Sequence, residues 1–294
     1  MNIFVAGGTG FVGEHLIREL LRCGHTVRAL VHGRNALQAG VEPVQGDITR
    51  PETFEQHISG CDAVINLVGI IREFPSRGIT FEKLHVQATA AMVAAASRSG
   101  IMRYLQMSAL GTRPNAISGY HQTKWQAEEL VRKSGLEWTI FRPSLIFGPH
   151  DAFINMLAAQ LRFAPVMPVI GSGSYRLQPI HAEDVARCFV RALDMPATIG
   201  QAYELCGTDR LSYEALLDMV ADSLGRSHPF KPHLPLTLMK WVIPILQTIP
   251  QFPITMDQLQ MLLEENIGGS EWQQTFGFQP RGLREGIAEY VQGT

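Results

Sequence analysis

The sequence predicts an α/β fold: a doubly wound parallel sheet in the first half of the chain, followed by a smaller, mostly helical C-terminal lobe. Three observations predict it. Apolar runs of strand length alternate with helix-length amphipathic stretches up to about residue 150. Those runs are continuous in Val, Ile and Leu, the pattern of strands covered by helices on both faces. The first run opens into the glycine-rich turn Gly7-Gly8-Thr9-Gly10-Phe11-Val12-Gly13 and then a helix.

Taken in order, strands are predicted at 3–6, 26–31, 43–45, 63–66, 104–107 and 138–141. Helices are predicted between them at 12–22, 51–58, 81–99 and 122–134. After Phe147-Gly148-Pro149 the pattern changes: prolines 165, 168 and 179 punctuate the chain, helices follow at 182–193 and 213–224, and a mostly helical tail runs over 236–291. This predicts a nucleotide domain over 1–150 and a substrate or partner lobe over 151–294, with the 182–193 helix packing back on the first domain.

Composition narrows the function classes. With 46% hydrophobic and 18% charged residues the chain is a globular protein, long enough for a large core. A net charge of −2 without a basic run gives no means of capturing nucleic acid. The cysteines, Cys23, Cys61, Cys188 and Cys206, form no Cys-x-x-Cys pair, and the histidines form no His-Glu-x-x-His. Neither a disulfide framework nor a metal is expected. Met1-Asn2 leads directly into Ile3-Phe4-Val5-Ala6, so no secretory signal is expected, and no run approaches the ~18 apolar residues of a spanning helix. A cytoplasmic protein is expected. The one apolar concentration, 234–249, holds Lys240 and is cut by Pro235 and Pro244. Its first reading is a core helix pair; peripheral contact with a membrane or a respiratory complex is the second.

The glycine turn assigns a ligand. Gly7 permits a tight turn, Gly10 lets backbone approach a pyrophosphate, and Gly13 lets the helix pack closely on the strand; Thr9, Phe11 and Val12 complete the turn. The helix N-terminus offers free N–H groups and the positive end of its dipole to phosphate. This is a Rossmann-type dinucleotide site. An acid after the second strand would bind the ribose 2′-hydroxyl of NAD. None occurs from Thr26 to Leu37; His32 and Arg34 stand there instead, with Arg28 inside the strand, so NADP(H) is the expected cofactor.

The spacing Gly7-x-x-Gly10-x-x-Gly13 resembles that of the short-chain dehydrogenase/reductase superfamily, in particular its extended and atypical, epimerase/dehydratase-like branches. The resemblance implies that Asp47, with Ile48, lies near the adenine, and that Val68 and Gly69 pass the adenosine ribose. Tyr120-His121-Gln122-Thr123-Lys124 places Tyr and Lys on one helix face. The resemblance implies Tyr120 as general acid/base and Lys124 as its electrostatic partner and nicotinamide-ribose ligand. A free phenol has a pKa near ~10; a lysine ammonium and an oxidised nicotinamide would lower it. The third implied member is a hydroxyl after the fifth strand. Met107-Ser108-Ala109-Leu110-Gly111 offers only Ser108, and either Ser108 or Ala109 holds that position. His85 stands where extended members carry Asn.

Arg142-Pro143 through Gly148-Pro149 resembles the segment beside the nicotinamide, with Pro143 lining it. Ile180-His181-Ala182-Glu183-Asp184-Val185 resembles a motif opening a helix; His181 is expected to be structural there, and Asp184 to favour the first helical turn. These segments are most similar to the branch containing the NADPH-binding accessory subunit of respiratory complex I, where the nucleotide is structural. Two functions are therefore carried: an NADP(H)-dependent oxidoreductase acting on a carbonyl or alcohol, and a non-catalytic NADPH-binding subunit, assembly factor or redox sensor. Nucleotide-sugar epimerisation ranks lower, because the acidic ribose ligand is missing, and dehydration ranks lower because Ala109 and Leu110 replace an acidic pair. Dimerisation through 81–99 and 122–134 is a further expectation from the family.

Overall fold

The computed structural model describes residues 1–33, 37–247 and 254–291. The first half runs β1 (Asn2–Ala6), α1 (Phe11–Arg22), β2 (Thr26–Val31), β3 (Val41–Gln45) and β4 (Ala63–Asn66). A π-helical segment, Glu82–Gln87, then continues into α2 (Ala88–Arg98), followed by β5 (Arg103–Met107), α3 (Gly119–Arg132) and β6 (Glu137–Pro143). The second half adds β7 (Ile146–Phe147), α4 (Phe153–Phe163), β8 (Val169–Ile170), β9 (Arg176–Leu177), β10 (Ile180–His181), α5 (Ala182–Leu193) and β11 (Gln201–Leu205). It closes with β12 (Leu211–Ser212), α6 (Tyr213–Ser223), β13 (His233–Leu234), α7 (Leu236–Leu246), α8 (Met256–Leu263), α9 (Glu271–Phe276) and α10 (Leu283–Val291).

Among the described residues, seven strands form one sheet in the order β3-β2-β1-β4-β5-β6-β11. Every pairing in it is parallel. Strand order reverses between β1 and β4, the switch point outside which doubly wound sheets bind ligands. Side chains alternate along β1: Ile3 and Val5 face the layer of α1, α5 and α9, while Phe4 and Ala6 face the layer of α2 and α3. Both layers exclude water, which is why the strand reads as an uninterrupted apolar run. Leu16, Ile17 and Leu20 of α1 bury fully, each contributing roughly 1.5–3 kcal/mol. A separate core, with Leu157, Val169, Leu216, Leu217, Val220 and Ile287, holds the second lobe.

The structure corrects the predicted organisation at two points. First, β11 joins the sheet beyond β6, in parallel register from Gln201 opposite Thr139 to Leu205 opposite Pro143. No strand was predicted there, because Gln201 and Glu204 break the apolar pattern at this exposed edge. With α5 packed on α1 and β11 in the sheet, the sheet layers extend past residue 150. Second, the predicted helix at 51–58 is two single 3₁₀ turns, Pro51–Thr53 and Glu55–His57. The Thr53 hydroxyl bonds Arg50 O at 2.7 Å and accepts from Asp47 N at 2.9 Å, offering the backbone an alternative to a helical ladder.

No described helix is long and apolar enough to cross a membrane. Gly13 sits so close to the β1 turn that an added Cβ would lie 2.3 Å from Gly7 O and 2.7 Å from Gly8 C. Both neighbours are backbone and cannot rotate aside. Gly13→Ala is therefore expected to cost ~1–3 kcal/mol or more, read as a lower urea midpoint. A wild-type midpoint would show that α1 can slide on the sheet.

Candidate functional site

The site forms where β1, β2, β4, β5 and β6 end. Gly7 leaves β1 with φ +83°, a left-handed conformation that side chains disfavour, and its missing Cβ would lie 3.1 Å from Leu67 C. Gly10 N donates to Gly7 O at 3.1 Å, and α1 starts at Phe11 with no side-chain cap on its first turn. Its leading N–H groups thus stay available beside Thr9 and the exposed Gly10 backbone, with Val12 buried below. A turn of this kind fits the diphosphate of a dinucleotide: Gly7 and Gly13 let the turn, β4 and α1 pack close enough to present the leading N–H groups of α1.

At the end of β2, His32 is exposed, and Arg34 lies outside the described residues. Arg28 is corrected. It turns away from the strand end, binding Glu42 at 2.9 Å, His57 O at 3.2 Å and Ser59 O at 3.0 Å, so it is committed to the chain leading into β4. Gly46 N donates to Val31 O at 3.0 Å, which brings Asp47 beside His32. Burial would raise the Asp47 carboxyl, but hydrogen bonds from Thr49 N (2.9 Å) and Thr49 Oγ1 (2.8 Å) hold it below the ordinary value. Ile48 turns into the core.

Tyr120 and Lys124 project from the start of α3, whose first turn is capped by Ser118 Oγ accepting from His121 N at 3.2 Å. The Lys124 ammonium is 3% exposed and donates to Val68 O (3.4 Å) and Met107 O (3.3 Å), joining the ends of β4 and β5. Burial lowers it to about 8, against the pull of Glu128 one turn on. Gly69 has a reason the sequence did not show: a Cβ there would lie 2.7 Å from Lys124 Nζ. Tyr120 is 9% exposed, walled by the edges of Phe81 (5.8 Å), His85 (5.3 Å) and His121 (5.2 Å). The expected lowering of its phenol is corrected: burial pushes it up to about 12. Lys124 spends its charge on two carbonyls instead.

His85 lies in the π-helical segment, between the loop after β4 and α3. Burial, then the Lys124 charge, lower it to about 2, so the ring is neutral. His85 Nδ1 lies 2.9 Å from Thr123 Oγ1, and Nε2 lies 3.1 Å from both Ile70 N and Ile70 O. One neutral tautomer donates to Thr123 and accepts Ile70 N–H, while the other accepts from Thr123 and donates to Ile70 O. Ser108 follows β5, 4% exposed, its N–H on Phe141 O at 2.7 Å and its hydroxyl on Thr112 Oγ1 at 3.4 Å. Pro143 ends β6 and accepts Leu110 N at 2.9 Å. His181 caps α5, accepting Glu183 N–H at 3.3 Å.

The sequence analysis missed the support beneath this cluster. Glu128, fully buried, is held by Arg142 (2.8 and 2.6 Å) and Arg132 (2.7 Å), tying α3 to β6. Asn66 Nδ2 reaches Gln106 Oε1 at 3.2 Å while its Oδ1 accepts Val68 N at 3.1 Å, fixing the backbone that receives Lys124. Glu128 four residues after Lys124 was a readable signal; its distant arginine partner was not.

The profile of the NAD dependent epimerase/dehydratase family matches residues 3–206. The chain belongs to that family. It is 32% identical over 248 residues to the mitochondrial NADH dehydrogenase [ubiquinone] 1 alpha subcomplex subunit 9 of Arabidopsis thaliana, covering 80% of this chain and 61% of that protein. It is 32% identical over 189 residues to the ceramide reductase of Caulobacter vibrioides, covering 63% of this chain and 58% of that one. The solved structure of MoeE5 in complex with UDP-glucose and NAD superposes with a TM-score of 0.77 at 22% identity, over 99% of this chain and 98% of that one.

In this family member the second lobe closes over the start of α3. Asp257 of α8 accepts Gly119 N at 2.7 Å, and Glu264 pairs with Arg113 at 2.9 and 3.0 Å. Both contacts restrain the turn that presents Tyr120. Among the described residues, no group of three or more His, Cys, Asp or Glu could hold a metal ion.

The lowered Lys124 marks a cost to folding. Unfolded lysine stays charged to about pH 10.4, so below about 8 the folded chain carries a desolvated ammonium, a penalty relieved as pH rises from 8 to 10.4. Lys124→Met is expected to raise stability at pH 7 by on the order of 3 kcal/mol, the gain fading by pH 10.5. Denaturant unfolding at both pH values checks it; a loss at pH 7 would mean the two carbonyl bonds outweigh the burial cost.

Proposed function

We propose that this chain is an NADP(H)-dependent oxidoreductase that reduces a substrate carbonyl, or oxidises the matching alcohol, through Tyr120 and Lys124. The observation that carries this reading is the cluster of Tyr120, Lys124, His85 and Ser108 at the carboxyl ends of β4 and β5, beside the glycine cradle. The Tyr120 phenol is protonated at neutral pH, as any tyrosine short of about pH 10 is, and it suits a proton donor to a carbonyl oxygen. Lys124, mostly charged at pH 7, lies one helical turn on and favours the phenolate left behind. Ser108, whose hydroxyl donates to Thr112 Oγ1 at 3.4 Å, would turn that proton to the same oxygen. His85 is a positioning residue, holding the Ile70 backbone to α3 through Thr123.

The glycine turn and α1 would hold the dinucleotide diphosphate, and the backbone at Val68 and Gly69 its adenosine side. A nicotinamide bound there supplies hydride exchange at the carbon of the carbonyl. The preference for NADP(H) rests on the absence of an acid from Thr26 to Leu37, with His32 exposed at the strand end and Arg34 following it in sequence. The ceramide reductase of Caulobacter vibrioides is a relative whose name describes a reduction, which agrees with this reading.

A second reading, a non-catalytic NADPH-binding subunit or redox sensor, is favoured by the deep burial of Tyr120 and Lys124 and by the similarity to the Arabidopsis complex subunit.

Calorimetric titration with NADPH and NADH, followed by NADPH oxidation over a panel of aldehydes and ketones, tests both. Tyr120→Phe is expected to lower turnover by about 10²-fold or more while sparing NADPH binding; substantial residual turnover removes Tyr120 from the chemistry, and no turnover in the parent protein favours the second reading. Arg34→Ala is expected to weaken NADPH by about tenfold more than NADH; equal losses would defeat the cofactor preference.

A further inference from the structure

Exposed apolar side chains gather on one face of α7: Leu238 (54% exposed), Trp241 (79%) and Ile245 (71%) follow at helical spacing. The opposite face is docked, with Ile243 fully buried and Met239, Val242 and Leu246 half-buried. This helix is apolar on both sides, and water meets the outer one. Cations outnumber acids on this face: Glu73 of the adjoining 71–77 loop, between Arg72 and Arg77 in sequence, is turned to Phe81 N at 2.7 Å. From Arg226 to Gln247 the sequence contains no Asp or Glu, and Lys240 stands exposed on α7 itself. Arg72 Nη2 donates to Gln247 O at 3.2 Å, which brings the exposed Ile71 and the loop carrying Arg72 and Arg77 to the end of α7. Both guanidiniums lie over the Phe74 ring, at 5.5 and 5.7 Å.

We propose that α7 and the adjoining 71–77 loop dock on a membrane surface carrying anionic lipid headgroups. The eleven residues of α7 span roughly 16 Å, far short of the ~30 Å hydrocarbon core, so the helix lies in the interface plane. Tryptophan, with an apolar body and a polar N–H, suits that depth. Lysine and arginine at the fringe complement phosphate-bearing headgroups. A protein partner fits less well: a stripe of three large side chains falls short of the ~800 Å² per partner of a stable protein interface. A lipid surface needs only the apolar stripe and the charge.

The docked face adjoins the functional site. The chain from Val68 to Arg72 begins at the carbonyl that receives Lys124, passes Ile70 on His85 and ends on α7. Docking would set the site beside the bilayer, whether or not Tyr120 turns over a substrate.

The test is flotation of the full chain with vesicles of phosphatidylcholine alone or with added phosphatidylglycerol, at low and high salt. The chain is expected to float with the phosphatidylglycerol vesicles at low salt, and far less with phosphatidylcholine or at high salt. A Leu238→Ser/Trp241→Ser double variant, altered only at exposed positions and so keeping the parent unfolding midpoint, should lose about tenfold or more of the bound fraction. Lys240→Glu should lose the salt-sensitive part. Absence of flotation with phosphatidylglycerol vesicles, or full binding by the double variant, overturns the proposal. So does a dimer in sedimentation that the double variant dissolves, since a second copy would then own this face.

Discussion

The contact of α1 with the turn after β1 sets the frame for everything else. Two backbones meet there without side chains between them, Gly13 against Gly7 and Gly8. That distance fixes how low α1 rides on the sheet and where its first N–H groups point. It also fixes the surface on which α5 packs, and α5 carries the second lobe into place through His181 and β10. A displaced α1 would move the dinucleotide cradle and the lobe boundary together. The rigidity is steric, so it does not depend on pH or salt.

Charge along α3 shows a second kind of organisation. One turn, at Glu128, holds a buried carboxylate with two guanidiniums, Arg142 and Arg132, in short hydrogen bonds. Such a group satisfies its own desolvation locally. The preceding turn, at Lys124, buries a cation whose nearest acceptors are two carbonyl oxygens at 3.3 and 3.4 Å. Tyr120 follows the same logic, a phenol buried among aromatic rings and raised by that burial. Local instability concentrated at a strand end is what a site for chemistry tolerates and a purely structural helix does not.

Much of this was legible in the residues. Continuous apolar runs marked β1, β2, β4, β5 and β6, because both sheet faces are covered, and the glycine spacing marked the turn. The spacing of Tyr120 and Lys124 placed both on one face of α3. The seventh strand was not legible: at the sheet edge Gln201 and Glu204 face outward, so β11 lacks the apolar run of its neighbours. The 51–58 segment has helical composition, and only the Thr53 hydroxyl, bonded across to Asp47, diverts it. Arg28 could be counted as a cation but not aimed, since its partner Glu42 stands on the next strand. The direction of the Tyr120 shift depended on its burial against Phe81 and His85, residues far from it in sequence.

The position of β11 bears on how the chain is born. During synthesis, β6 emerges long before the strand that covers its outer edge, and α1 waits some 170 residues for α5. Until Leu205 has left the ribosome, the half of the sheet carrying Leu105 and Phe141 presents an unpaired edge at β6 and a face that α5 has yet to cover. Parallel pairing across such separations closes slowly, because loop entropy is lost before contacts repay it. A chain built this way depends on its last third to finish what its first third begins, and it is most exposed to aggregation or chaperone capture in that interval.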